Sequence, residues 1–223
     1  MRYHLVPLGC QMNQSDAERI RTVLEQLGYE RTDREEDADV LGVVACSVRQ
    51  KAIDKVYSKI HKWNEWKNDR NLLTFVSGCM LPEDREKFLK RFDLVFTINE
   101  LPGLSDMIRQ YGVVTPTSLA EPVGTERARD DREEVRPRAQ SDEAPRLFTP
   151  AMPAGPHGVT EDIREGFWHV TPTHTSSFEA YAPIQNGCDK FGTFCAVPYT
   201  RGREGSRPSR EILAEVRKLV DQD

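Results

Sequence analysis

No apolar run in the 223-residue chain approaches the roughly 20 residues of a membrane helix, so no transmembrane helix is expected. The start, Met1-Arg2-Tyr3-His4, passes into a short apolar strand without the hydrophobic stretch of a signal peptide, which points to the cytoplasm. Positive charge is also in short supply: 31 Lys and Arg stand against 36 Asp and Glu, a net charge of −5. Nucleic-acid binders usually carry a basic footprint, so any RNA contact must be local or must lie on further chain. Cysteine is scarce and odd in number. Five thiols without an export signal argue against a disulfide framework and leave metal binding or catalysis for those in loops. A Gly-rich phosphate loop is missing after the first strand, where Gly9-Cys10-Gln11-Met12-Asn13 stands instead. A plain nucleotide-binding domain with structural cysteines therefore ranks last among the readings.

What is present alternates. Tyr3–Leu8, Val40–Ala45, Leu72–Ser77 and Leu94–Ile98 read as buried strands, with Val113–Thr115 a candidate fifth. Between them lie helical patterns. The first starts near Ser15, where Ser15 and Glu18 have capping-box spacing, and carries Ile20, Val23, Leu24 and Leu27 to a stop at Gly28. Others run over Val48–Trp66, over Glu83–Arg91 after Pro82, and over Leu101–Tyr111. Strict alternation implies crossover units and an α/β, doubly wound parallel sheet over residues 1–116. Residues 117–167, with Pro137, Pro145, Pro150, Pro153 and Pro156 among mixed charges, read as a flexible linker or insertion. From Trp168 the chain turns strand-like again. Phe178–Ile184 reads as a strand entering a cysteine loop, and Ser209 caps a helix over Glu211–Val220.

The first three cysteines share one topological position. Cys10, Cys46 and Cys79 each follow a strand, and in a parallel sheet the carboxyl ends of all strands share the ligand-binding edge. Each alone would pass for a small buried residue. Together they read as ligands. Structural zinc usually takes a fourth protein ligand, whereas three thiolates suit a [4Fe–4S] cluster with one iron left open.

The other two cysteines lie in Gly187-Cys188-Asp189-Lys190-Phe191-Gly192-Thr193-Phe194-Cys195-Ala196-Val197-Pro198-Tyr199-Thr200-Arg201-Gly202-Arg203. This closely resembles the C-x3-C-x2-C loop of radical S-adenosylmethionine enzymes, except that Gly192 stands at the middle position. Adding Leu8 to Asn13, Ala45 to Arg49, Ser77 to Met80 and Ala196 to Arg207, the chain resembles the radical S-adenosylmethionine methylthiotransferase family, most of all its MiaB type. That resemblance implies a fold of an α/β domain, a linker and the first βα unit of a TIM-like barrel over residues 168–223. It implies that Cys10, Cys46 and Cys79 hold an auxiliary [4Fe–4S] cluster that handles the inserted sulfur. Cys188 and Cys195 would hold the radical cluster, and Phe194 and Arg201 would contact S-adenosyl-L-methionine. Arg203 and Arg207 are further candidates for phosphate or cofactor carboxylate. The implied reaction is radical insertion of a methylthio group into N6-isopentenyl-adenosine beside the tRNA anticodon. Sister types act on threonylcarbamoyl-adenosine or a ribosomal-protein aspartate. Implied partners are tRNA and sulfur-donor or iron–sulfur assembly proteins, with no membrane. Such enzymes continue through the rest of the barrel and an RNA-binding domain after the point where this sequence stops. With Gly192 and that early stop, the chain alone is expected to be inactive, and a non-catalytic cluster-binding protein is the competing reading.

Overall fold

The computed structural model describes residues 1–111, 168, 170–174, 176 and 178–221. The expected strand at Val113–Thr115 and the whole 117–167 segment lie outside the described residues. Five parallel strands form the central sheet: β1 (Arg2–Pro7), β2 (Glu30–Arg31), β3 (Val40–Cys46), β4 (Leu73–Cys79) and β5 (Leu94–Val95). Their spatial order is β2-β1-β3-β4-β5. All four pairings are parallel, so the expected doubly wound sheet is present. Because the chain winds from β1 to one side and then returns to the other, the topological switch point lies between β1 and β3.

Alternation along the strands sends side chains to two cores. Tyr3, Leu5, Val40, Val44, Leu73 and Phe75 pack under α1 (Gln11–Gln26) and α4 (Leu104–Gln110). Leu41, Val43, Ala45 and Val76 pack under α2 (Gln50–Trp66) and α3 (Pro82–Leu89). Gly42 is required by this packing. A Cβ there would lie 2.1 Å from Phe75 Cζ, so the missing side chain makes room for the Phe75 ring, which also meets Phe96 at 5.6 Å.

Several boundaries differ from the sequence reading. Helix α1 begins at Gln11, with Cys10 as its N-cap, rather than near Ser15. The capping box does not form because both partners lie inside the helix and are buried, with Ser15 Oγ accepting a hydrogen bond from Arg19 Nη1 at 2.9 Å. Strand β5 stops at Val95 because Thr97 and Glu100 form a real capping box that opens a 3-10 turn over Ile98–Gly103. Pro102 sits in that turn, and α4 proper starts only at Leu104. The two-residue β2 carried too little pattern to be anticipated.

Beyond residue 168 the expected strand over Phe178–Ile184 is absent. Phe178 and Ile184 are exposed, and of this segment Ile184 alone touches a sheet neighbour among the described residues, its carbonyl accepting from the Arg207 N–H at 2.9 Å. Instead β6 (Gln185–Asn186) and β7 (Gly205–Ser206) form an antiparallel ribbon that closes the cysteine loop, with α5 (Val197–Arg201) inside it. Helix α6 (Ser209–Val220) follows, with Pro208 rather than Ser209 at its N-cap. Among the described residues no parallel barrel unit is formed. No described helix is long and apolar enough to cross a membrane.

Candidate functional site

The carboxyl edge of the sheet is built by two glycines. Gly9 has φ +112° and Gly78 φ +105°, conformations that L side chains rarely adopt. A Cβ on Gly9 would lie 2.6 Å from Cys46 Cβ, and one on Gly78 would lie 2.5 Å from the Ala45 carbonyl oxygen. Each glycine thus lets the chain bearing the next cysteine, Cys10 or Cys79, pass close against β3. Cys46 and Cys79 are direct partners in the β3–β4 register. Both are buried, and Cys10 is half-buried.

Asn13, fully buried in the first turn of α1, gathers this edge. Its Nδ2 donates to the Leu8 carbonyl at 2.6 Å and the Ala45 carbonyl at 2.7 Å, tying the ends of β1 and β3 across the switch point. Two carbonyls on the nitrogen fix the amide orientation, which aims Oδ1 at the thiols. Cys79 Sγ donates to Oδ1 at 3.5 Å and Cys10 Sγ at 3.9 Å. Arg49 Nη1 adds a bond to the Gly9 carbonyl at 2.7 Å.

Arg201, from α5, is buried against the same edge. Its Nε donates to Cys79 Sγ at 2.8 Å and its Nη2 to Asn13 Oδ1 at 3.1 Å. It forms a fork with Asp16, through Nη1 to Oδ1 at 3.4 Å and Nη2 to Oδ2, and Nη1 also meets Asn186 Oδ1 at 3.1 Å. Burial pushes the Cys79 thiol up to about 11, against the pull of the Arg201 charge. Burial also raises Asp16, partly offset by Arg201. For Arg201 itself burial works downward, but Asp16 and Cys79 outweigh it and hold the guanidinium charged.

The second cysteine loop is separately closed. Gly187, at φ +75°, lets the loop's two legs cross, since a Cβ there would lie 2.0 Å from the Arg203 carbonyl oxygen. The Cys188 N–H donates to the Gly202 carbonyl at 3.1 Å, and the Cys195 N–H to the Gly192 carbonyl at 2.9 Å. Both thiols are half-buried, Phe194 is fully exposed, and Phe191 meets Tyr199 edge-on at 6.1 Å. Gly192 has ordinary backbone, and a Cβ there would meet only Cys195 Cβ, at 3.5 Å. A third thiol therefore fits the loop sterically, although the chain supplies none.

Sequence reasoning named all five cysteines, Phe194 and Arg201, but missed Asn13, Asp16 and Asn186. Asn13 was visible as the residue three beyond Cys10 on the same helical face. Asp16 and Asn186 carried no local signal, because their role depends on a contact with a residue 185 positions from Asp16. Arg207 is engaged in a buried pair with Glu215 and lies over the Trp168 ring at 5.6 Å, and Arg203 pairs with Asp189 at 3.5 Å.

Among the described residues no three Cys, His, Asp or Glu side chains converge on one point as a single-ion site requires. A cubane presents separate irons at its corners, so its thiolates need not converge in that way. Three thiols on one edge suit an anionic group, with α1, α2 and α3 starting within four residues of Cys10, Cys46 and Cys79 and the cationic Arg201 beside them. The first three cysteines fit such a group.

A doubly wound α/β domain with a thiol-bearing switch-point edge is the class that fold and site define. Residues 2–98 match the family model described as "Uncharacterized protein family UPF0004". Along nearly its whole length the chain is related to proteins named tRNA-2-methylthio-N(6)-dimethylallyladenosine synthase. It is 36% identical to that of Geobacter metallireducens over 220 residues, covering 97% of this chain and 42% of the relative. It is 33% identical to that of Thermotoga petrophila over 223 residues, covering 100% and 42%. Identity to the Halorhodospira halophila protein is 34% over 228 residues, covering 99% and 40%. The chain thus spans about two fifths of the length of the curated relatives it matches.

Proposed function

We propose that the chain is the front portion of a tRNA methylthiotransferase that places a methylthio group on N6-isopentenyl-adenosine beside the anticodon. The observation that carries the reading is Cys10, Cys46 and Cys79 at one sheet edge, Cys10 and Cys79 both donating to Asn13 and Cys46 standing beside Cys79 in the β3–β4 register. These three thiolates would hold an auxiliary [4Fe–4S] cluster, and Cys188 and Cys195 would hold the radical one. When bound, the two groups supply sulfur and, with S-adenosyl-L-methionine, the radical that opens an unactivated aromatic carbon.

The chain's own residues have narrower tasks. Asn13 keeps the β1 and β3 loops at fixed separation. Phe194, free of protein contacts on its ring, would stack on the cofactor's adenine. Gly192 withholds the third thiolate of its loop, so this chain by itself does not complete the radical site. The substrate tRNA and a sulfur-donating or cluster-assembly protein are the proposed partners, in the cytoplasm.

A second reading, a non-catalytic carrier of one iron–sulfur cluster, is favoured specifically by Gly192. Grafting residues 1–223 in place of the matching segment of the Thermotoga petrophila relative separates the two. The graft with Gly192→Cys should cleave S-adenosyl-L-methionine and the unaltered graft should not. Equal cleavage by both would refute the role given to position 192, and none by either would favour the carrier.

A further inference from the structure

The described residues hold other polar clusters, among them Arg19, Arg207 and Glu215 between α1 and α6, and the Lys59–Glu35–Lys62 group that joins α2 to the 3-10 turn Glu35–Asp37. None of these reaches a cysteine. Arg201 does, and its geometry is complete. A guanidinium has five N–H donors in a planar fork. Here Nε meets Cys79, Nη1 meets Asp16 and Asn186, and Nη2 meets Asn13 and Asp16. Every donor is engaged with protein, none is left for a small ligand, and the side chain is only 5% exposed. The acceptors come from both cysteine sites. Asn13, Asp16 and Cys79 belong to the sheet edge, while Asn186 and Arg201 bracket the Cys188–Cys195 loop on β6 and α5.

We propose that Arg201 is a positioning residue that locks the second cysteine loop onto the first cysteine site through Cys79, Asn13 and Asp16. Arginine is needed rather than lysine, because an ammonium has three donors and no fork and cannot meet Asp16, Cys79 and Asn13 in one plane. Asp16 exists in the buried interior as the counter-charge, since a buried guanidinium without a carboxylate would be strongly destabilised. The tether reaches two consequences. It fixes the separation of the two thiol sites without a covalent link, and it places a permanent positive charge and an N–H donor on the Cys79 sulfur. The second consequence, for a bound cluster, rests on the proposed function; the first does not.

Two measurements on the full 223-residue chain test this, each on the wild type, Arg201→Gln and Arg201→Lys. In the metal-free protein, hydrogen exchange is read at residues 10–16 and 188–202, with α2 and α3 as internal controls. Arg201→Gln should raise exchange at the Cys188 amide by tenfold or more while α2 stays unchanged, and Arg201→Lys should fall between the two. After anaerobic loading with iron and sulfide and reduction, the electron paramagnetic resonance signal should shift in Arg201→Gln and partly return in Arg201→Lys. Unchanged exchange over residues 188–202 in both variants would overturn the tether. If Arg201→Gln loses its fold altogether, Arg201→Lys decides alone, and wild-type exchange in that variant overturns the proposal. If the wild type takes up no iron, the proposed function fails while the exchange result still decides the tether.

Discussion

Gly78 sits where fold and site meet, and Gly78→Ala separates them cleanly from an innocent glycine change. Its φ of +105° costs a side-chain-bearing residue about 1–3 kcal/mol. The new Cβ would also stand 2.5 Å from the Ala45 oxygen and 2.9 Å from the Ala45 nitrogen, which are backbone atoms of the adjacent strand and cannot rotate away. Relief requires β3 and β4 to part at the Ala45–Gly78 pair, next to the Cys46–Cys79 pair, weakening a ladder bond at about 1 kcal/mol. The expected loss is about 2–4 kcal/mol, a large part of the stability of an ordinary domain. Gly192→Ala is the control: ordinary backbone and a nearest contact of 3.5 Å predict a change within about 0.5 kcal/mol. Urea unfolding of the reduced, metal-free protein reads both, and iron uptake should fall in Gly78→Ala alone. A wild-type urea midpoint for Gly78→Ala would refute the argument that this glycine sets the cysteine edge.

Other outcomes follow from the same geometry. Asn13→Leu leaves the Leu8 and Ala45 carbonyls without their shared donor and should cost about 2 kcal/mol in urea unfolding, with a parallel drop in bound iron. Gly192→Cys should add iron and sulfide beyond the wild-type content, since its Cβ fits the loop; no gain would remove that loop from the candidate sites. Glu35 supplies a pH test. Burial acts to raise its carboxyl, but hydrogen bonds from Lys59 and Trp63 and the charges of Lys59 and Lys62 outweigh this and hold it below the usual range. Its stabilisation is therefore full above the ordinary carboxylate range and fades as pH falls through the lowered value. Glu35→Gln should cost about 1 kcal/mol at pH 7, discounted for partial solvent access, and the gap from wild type should close in acid unfolding titrations.

The parallel sheet and its cysteine edge were legible because they rest on local signals. Apolar runs such as Val40–Ala45 mark buried strands, and a cysteine directly after each run lands on the carboxyl edge in any parallel arrangement. The start of α1 was not legible, because the Ser15–Glu18 spacing imitates a cap while the real start is set by the positive φ of Gly9. The burial of the polar residues Ser15, Asp16, Glu18 and Arg19 carried no local signal. They are buried because residues from 168 onward cover α1, for instance through His174 on Glu18 at 3.1 Å and Thr22 on Thr171 at 2.9 Å. Periodicity reports which faces avoid water only when the covering surface is apolar; here it is polar and distant in sequence. Phe178–Ile184 failed in the opposite sense, with strand-like composition but a neighbouring strand that, among the described residues, meets only its last residue, through the Arg207 N–H on the Ile184 carbonyl.

The proposed cluster site of Cys10, Cys46 and Cys79 is independent of the second loop. Iron and acid-labile sulfide measured after anaerobic reconstitution of wild type, Cys46→Ala and Cys188→Ala test it most directly. Close to four irons per wild-type chain, loss of most of them in Cys46→Ala and near-wild-type content in Cys188→Ala are predicted, on the order of one cubane per chain. Equal losses in the two variants would contradict it.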